Sequence, residues 1–423
     1  MQAHDLPALA GLRIDGARLW NSLMELARIG ATPKGGVCRL ALTPLDKQGR
    51  DLFVAWAKEI GCTVRVDAIG NIFARRAGTR DDLPPVMTGS HIDTQPTGGK
   101  FDGNYGVLAG LEVLRTLNDN NVRTIAPLEI AVWTNEEGSR FVPVMMGSGV
   151  FAGAFTLDHA LAQTDREGVS VRDALASIGY AGERVAAHDV GAYFEAHIEQ
   201  GPVLEANDTV IGVVQGALGQ RWYDVTIDGM EAHAGPTPME LRRDALLAAA
   251  DLIRTVNRIA LDHAPHGRGT VGWVNVHPNS RNVIPGRVKL SVDLRAADDA
   301  ALLAMDRALR DACAQAGLPV QADEVVYFAP QPFEASLVAS VRESAQALDL
   351  NSMNVVSGAG HDAVYLARVA PAAMIFVPCK DGISHNEIED ASADHLEAGC
   401  NVLLQVMLRA ANASDEGVEG DAA

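Results

Sequence analysis

Apolar and polar positions alternate along this chain in two distinct periods. Residues 10–30 and 47–60 carry apolar side chains at helical spacing. The stretch "CTVRVDAIGNIFARRAG" alternates residue by residue and reads as a hairpin turning at Gly70-Asn71. The strand "PPVMTGS" follows, then a glycine-rich loop, then a helix from about residue 103 to 118. "PLEIAVWT" is almost wholly apolar, as a strand covered on both faces would be. "AYFEAHI" is a further strand. Strand and helix alternate here, which predicts an α/β body with a mostly parallel sheet.

The pattern changes near Gly216. "QRWYDVTIDG" is a strand and "MELRRDALLAAADLIRTVNRIALDHA" a long amphipathic helix. Two strands follow, "GTVGWVNVHP" and "RVKLSVDLRA", then the helix "DDAALLAMDRALRDACAQAG" and the strand "VQADEVVYFA". The order β-α-β-β-α-β is a complete supersecondary unit, so residues 216–331 are expected to form a domain inserted into a body of residues 1–215 and 332–423. The body resumes with a helix after Gly360, the strand "AAMIFVP" and a helix from about residue 392 to 411.

At 423 residues the chain is long for one hydrophobic core, which agrees with two domains. Its net charge is −19 with no Lys/Arg cluster, so nucleic-acid and anionic-membrane partners are not expected. An anionic substrate would need locally placed arginines to enter this field. Five scattered cysteines without CxxC spacing argue against a disulfide framework or thiolate zinc site and suit a reducing cytoplasm. No signal peptide and no run of 18 apolar residues is found, and the acidic tail "ASDEGVEGDAA" is expected to be disordered.

Four polar motifs fall at or just after the ends of body strands, where open α/β sheets place ligands. "HIDTQPTGGKFDG" carries His91, Asp93 and Asp102; "TNEEGSRF" carries Glu136 and Glu137. "EAHIEQGP" carries His197, Glu199 and Gln200, and "KDGISHNEIE" carries His385. A single polar loop residue is more often solvated than functional. Two adjacent glutamates after a fully apolar strand are different, because their charges are costly there unless a cation is near. Imidazoles and carboxylates on one rim point to divalent metal, and such donors suit zinc, manganese, cobalt or nickel. A structural zinc is disfavoured for want of cysteines. The "GGK" of the first loop lacks the rest of a P-loop, and Ser148 lacks G-x-S-x-G spacing.

Taken together, "GSHIDTQPTGGKFDG", "TNEEGSRF", "AHIEQGP", "EAHAGPTPM" and "GISHNE" resemble the amidohydrolase branch of the dinuclear-metal aminoacylase/carboxypeptidase superfamily. Within it they are most similar to the N-carbamoyl-L-amino-acid hydrolases, β-ureidopropionases and allantoate amidohydrolases. The resemblance runs from about residue 15 to 412. It implies an aminopeptidase-like catalytic domain with an inserted lid/dimerisation domain, a homodimer, and two divalent metal ions per subunit. It implies that His91 and His197 each bind one metal and that Asp102 bridges the pair. Glu137 and His385 complete the ligands, and Asp93 orients His91. Glu136 would be the general base and would return its proton to the leaving nitrogen. In such a centre two ions about 3.5–4 Å apart share a water and lower its pKa toward about 7. His197 stands where the superfamily's peptidases tend to have a carboxylate, which favours an amidohydrolase.

The resemblance also reaches the inserted domain. His233 would donate to the oxyanion, and Asn282 and Arg295 would grip the substrate carboxylate, with Gln200 a further substrate contact. On pattern alone His233 reads as a surface histidine, and Arg295 could equally pair with Asp293. The expected reaction is hydrolysis of the carbamoyl C–N bond of N-carbamoyl-L-amino acids or N-carbamoyl-β-alanine, releasing amino acid, ammonia and carbon dioxide. Allantoate hydrolysis is the nearest alternative, followed by N-acyl-amino-acid deacylation or peptide cleavage. A non-catalytic binding descendant would be expected to lose the base or a ligand, and this chain keeps both.

Overall fold

The computed structural model describes residues 9–182 and 187–413, so the expected tail disorder lies outside the described residues. The chain divides into two compact units. Among the described residues, the first comprises those from 9 to 215, 333–355 and 360–413, and the second residues 216–332 and 356–359.

The first unit is built on a single large β-sheet. Seven of its strands run in the order Thr63–Val66, Ile72–Arg76, Leu128–Trp133, Val86–His91, Ala192–Ile198, Ala372–Val377, Ile211–Ala217. The four central strands, from Leu128–Trp133 to Ala372–Val377, are mutually parallel. Every residue in them is buried, which explains their continuous apolar sequence. The flanking pairings of this run are antiparallel. The sheet is therefore mixed, and the expected mostly parallel sheet holds only for its centre. The reason is topological. The hairpin at Gly70 (φ +87) lays one strand back beside Leu128–Trp133, and Ile211–Ala217 closes the other flank.

Helix Asn104–Asp119 packs on Val86–His91 and buries nearly its whole length. Gly106 and Gly110 allow that approach, because a Cβ on Gly106 would lie 2.5 Å from the Ala196 carbonyl oxygen. Helix Ala393–Asn412 lies against helices Asn104–Asp119 and Gly16–Leu26. Trp133, Tyr105, Phe73 and Phe101 are among the largest side chains of this core.

In the second unit the strands Gly219–Asp228, Val274–His277, Arg287–Ala296 and Val320–Phe328 form an antiparallel sheet, with Arg268–Thr270 beside Arg287–Ala296. Helices Ala245–Leu261 and Asp299–Ala314 pack on it through one apolar cluster that includes Leu252, Val256, Leu290 and Leu309. Exposed and covered residues alternate along Arg287–Ala296, as expected of a sheet covered on one face.

Candidate metal centre

The four motifs converge at the carboxyl ends of the four central parallel strands. His91 is the last residue of its strand and His197 the sixth of seven in Ala192–Ile198. Glu136 and Glu137 follow Leu128–Trp133, and His385 lies in the loop after Ala372–Val377. Adjacent parallel strands lie about 4.8 Å apart, so their ends bring together side chains far apart in sequence.

Three donor triads result among the described residues: His91, Asp102 and His197; Asp102, Glu137 and His385; and Glu195, His197 and His361. Within each, the ligand atoms lie within 4.8 Å of one another, and Asp102 joins the first two. One Asp102 oxygen, Oδ1, is 3.2 Å from His197 Nε2 and 3.7 Å from His91 Nε2. The other, Oδ2, is 3.2 Å from His385 Nε2, which is 3.3 Å from Glu137 Oε2. This corrects the expected pairing, in which His91 and His197 each served a different metal. They share one triad, because Asp102 turns its Oδ1 to both.

Local hydrogen bonds set the tautomers. His197 Nδ1 is 2.8 Å from the Ile198 carbonyl, and His91 Nδ1 is 2.9 Å from the Asp93 carbonyl. Only an N–H satisfies a carbonyl, so both rings turn Nε2 toward Asp102. The expected role of Asp93 is thereby altered: its backbone oxygen orients His91, while its carboxylate is 4.0 Å from Nδ1. That carboxylate instead accepts from the backbone N–H groups of Glu136 and Glu137, at 3.2 and 3.3 Å. Asp93 thus ties the first motif to the glutamate pair. Burial pushes its pKa up to about 6.

Burial raises the Asp102 pKa, but hydrogen bonds from His197 and His385 overcome it and hold the carboxyl well below its usual range. Burial opposes protonation of His197, yet Asp102 and Glu195 pull its pKa up to about 9. Asp102 and Glu137 pull His385 up to about 10. Glu136 is pushed well above the usual range, first by burial and then by Asp362, Glu137 and Asp102. These nitrogen and oxygen donors are able to hold a divalent cation, which would displace the protons from the imidazoles.

Backbone conformation serves the same end. Asn135 (φ +54), Gln200 (φ +56) and His385 (φ +54) are non-glycine residues in the left-handed region, where strain concentrates at functional sites. Gly103 (φ +66) caps helix Asn104–Asp119, whose amino-terminal dipole favours the Asp102 carboxylate beside it. A Cβ on Gly103 would lie 2.4 Å from His91 Nε2. Gly103→Ala is therefore expected to displace the His91 ring, with backbone strain of roughly 1–3 kcal/mol added at this positive φ. Metal analysis of the variant should show loss of the ion held by the His91 triad. Full retention would contradict this geometry.

Gln200 does not stand free for a ligand. Its Nε2 donates to Asp102 Oδ2 at 2.9 Å and to Ser384 Oγ at 3.1 Å. In the second unit, His233 pairs with Val283 on two short strands, and the Asn282 carbonyl accepts from Ala234 N. The side chain of Arg295 grips Asp293 at 2.8 Å and donates to the Gly358 carbonyl at 2.7 Å.

Sequence reading missed several supports. Fully buried Arg39 donates to the carbonyls of Ile92, Leu26 and Ile29 and to Asn104 Oδ1, fastening both ends of the first loop. Glu195, two residues before His197, accepts from Ser90 Oγ and Ala363 N. Ser148 hydrogen-bonds Asp362, which gives it a structural partner rather than a nucleophile's base. His361 stacks edge-on against His197, ring centroids 4.6 Å apart. Glu195 carries the clearest signal in retrospect, because alternation along a strand puts it on the face of His197.

A mixed α/β sheet with shared-carboxylate donor triads at its strand ends describes a metal-dependent hydrolase. The chain belongs to peptidase family M20/M25/M40, whose model it matches over residues 87–409. It is 48% identical to an N-carbamoyl-L-amino-acid amidohydrolase of Rhizobium meliloti, over 94% of this chain and 97% of that one. It is 38% identical to an allantoate amidohydrolase of Bacillus subtilis, over 91% and 95% of the two chains. A solved hydantoinase/carbamoylase family amidase from Burkholderia multivorans is 59% identical, with a TM-score of 0.92 over 95% of this chain and 98% of its own.

Proposed function

We propose that this protein hydrolyses the carbamoyl C–N bond of N-carbamoyl-L-amino acids at a centre of two divalent ions. The observation that carries the reading is the pair of triads joined at Asp102, with Glu136 beside them and no ligand role of its own in either. One ion is assigned to His91, Asp102 and His197, the other to Asp102, Glu137 and His385. When bound, the ions supply Lewis-acid polarisation and make water nucleophilic near neutral pH. Zinc suits this donor set, and manganese, cobalt and nickel also accept it.

The chain's own groups do the rest. Glu136 Oε2 lies 3.5 Å from His91 Nε2, at the edge of the first triad. It takes a proton from the attacking water as oxygen adds to the carbamoyl carbon. It returns that proton to the amino nitrogen as the C–N bond breaks. The carbamate released decomposes to ammonia and carbon dioxide. Glu136 is buried at the edge of the first triad, where one carboxylate can pass a proton from water to the leaving nitrogen. His233, Asn282 and Arg295 carry the substrate-binding part of the proposal on resemblance alone, and so does a homodimer formed through the second unit. A cytoplasmic location is proposed on the same composition and cysteine pattern. No helix among the described residues is long and apolar enough to cross a membrane.

A panel of N-carbamoyl-L-amino acids, N-carbamoyl-β-alanine, allantoate, N-acetyl-amino acids and a dipeptide tests the reading. The expected result is a kcat/KM for N-carbamoyl-L-amino acids at least about 10-fold above every other class, a difference of about 1.4 kcal/mol in transition-state binding. The kinship to allantoate amidohydrolase makes allantoate the second reading. A preference for it would replace the first.

A further inference from the structure

Glu389 is a buried carboxylate beside the site with no part in the proposed reaction. It is 2% exposed and lies four residues beyond His385. Its Oε1 accepts from the backbone N–H of Phe101 at 2.9 Å and from that of Asp102 at 3.1 Å. Its Oε2 accepts from Ser384 Oγ at 2.9 Å. Ser384 also lies 3.2 Å from Asp102 Oδ2 and accepts from Gln200 Nε2. One side chain therefore joins the loop carrying the shared ligand Asp102 to the loop carrying His385.

The packing is built for that join. A Cβ on Gly99 would lie 2.0 Å from Glu389 Oε1 and Cδ, so the first loop passes the carboxyl with no room for a side chain. Both ends of the contact sit under unusual backbone. His385 is left-handed at φ +54, and so is Gly103, the residue after Asp102, at φ +66. Neither loop has a regular hydrogen-bond ladder at these residues to hold such a conformation. The Glu389 contacts supply the hold from outside. A shift of Asp102 would disturb both triads at once, because it is their common member.

We infer that Glu389 is the positioning residue of the metal centre, tethering the Asp102 loop to the His385 loop so that both triads keep their geometry. Both its carboxylate oxygens are engaged by Phe101, Asp102 and Ser384, so it acts through those residues. The inference rests on the metal-centre reading above but not on the identity of the substrate. Hydrogen-bonded supports of metal ligands commonly change affinity by about 10- to 100-fold when removed.

The test measures ion binding and turnover separately on the full chain. Zinc affinity by competition with a chromophoric chelator is compared among wild type, Glu389→Ala, Glu389→Gln and Ser384→Ala. Gln keeps an oxygen for the two backbone N–H groups, with its amide left to face Ser384. The expected result is zinc binding about 10- to 100-fold weaker in Glu389→Ala, with Glu389→Gln within a few-fold of wild type. Ser384→Ala, which cuts one arm of the tether, should fall between them, and it serves if Glu389→Ala does not fold. In turnover, kcat should drop in Glu389→Ala and recover in excess zinc, with KM within about twofold of wild type, a split that lost packing would not produce. Wild-type zinc affinity in both Glu389→Ala and Ser384→Ala overturns the inference. A Glu389→Gln variant as weak as Glu389→Ala also overturns it, since charge and not tethering would then be responsible. If wild type itself binds no zinc, the metal-centre reading fails instead.

Discussion

Replacing Glu136 by glutamine is expected to lower kcat by about 10²- to 10⁴-fold while both ions remain bound. An amide cannot take a proton from water, and Glu136 belongs to no donor triad. The variant should be at least as stable as wild type in ion-free buffer, and the sign follows from the direction of its shift. Burial, Asp362 and Glu137 raise the folded-state pKa of Glu136 well above its ordinary value. The folded protein therefore holds this proton more tightly than the unfolded chain, and stability falls as pH rises through that interval. At neutral pH a neutral side chain removes this cost. Steady-state kinetics, metal analysis and a thermal melt together decide the matter. A variant that keeps most of its turnover would exclude Glu136 as the base. One that loses ions would make it a ligand.

Asp102→Ala should have the other large effect, the loss of both ions and of activity to background. Asp102 supplies one oxygen to each of its two triads, so no single-residue change elsewhere touches both equally. It also accepts from Gln200 Nε2, and its removal takes away one of that amide's two acceptors while the bond to Ser384 Oγ remains. His385→Ala should behave differently, losing the ion of its own triad and retaining that of His91, Asp102 and His197. Metal content per chain after replete purification and desalting checks both. Two ions in Asp102→Ala, or none in His385→Ala, would refute the shared-ligand arrangement.

How much of this was legible beforehand depends on how local each feature is. The four central strands were, because burial on both faces forces an unbroken apolar run, and such a run is visible in one dimension. The motifs at their ends were too, because Glu136-Glu137 and His197 interrupt or follow those runs abruptly. The antiparallel flanks of the sheet were not. Strand order and direction depend on which strands find each other, and Ile211–Ala217 has no local mark of running against Ala372–Val377.

The same division runs through the site. His91 and Asp93 are two residues apart, and the family resemblance implied a carboxylate holding an imidazole. The fold gave that task to the Asp93 carbonyl and spent the carboxylate on two N–H groups in the glutamate turn, more than 40 positions away. Glu389 reads as one more acid in "HNEIED". Its partners, the N–H groups of Phe101 and Asp102, are 288 and 287 positions away and leave no trace in side-chain pattern.

The sequence by itself thus pointed to the donor types and their place at strand ends, through hydrophobic periodicity and the cost of charge near an apolar core, both properties of short segments. The candidate base beside them was implied by the family resemblance. Tertiary structure alone decided which imidazole shares which carboxylate oxygen, and which buried acid steadies the loop that carries it. Those outcomes turn on left-handed residues, on glycines that leave room for a ring or a carboxyl, and on backbone N–H groups that every residue but proline carries. A hydrogen bond to such a group has no sequence signature, so only the folded chain reveals it.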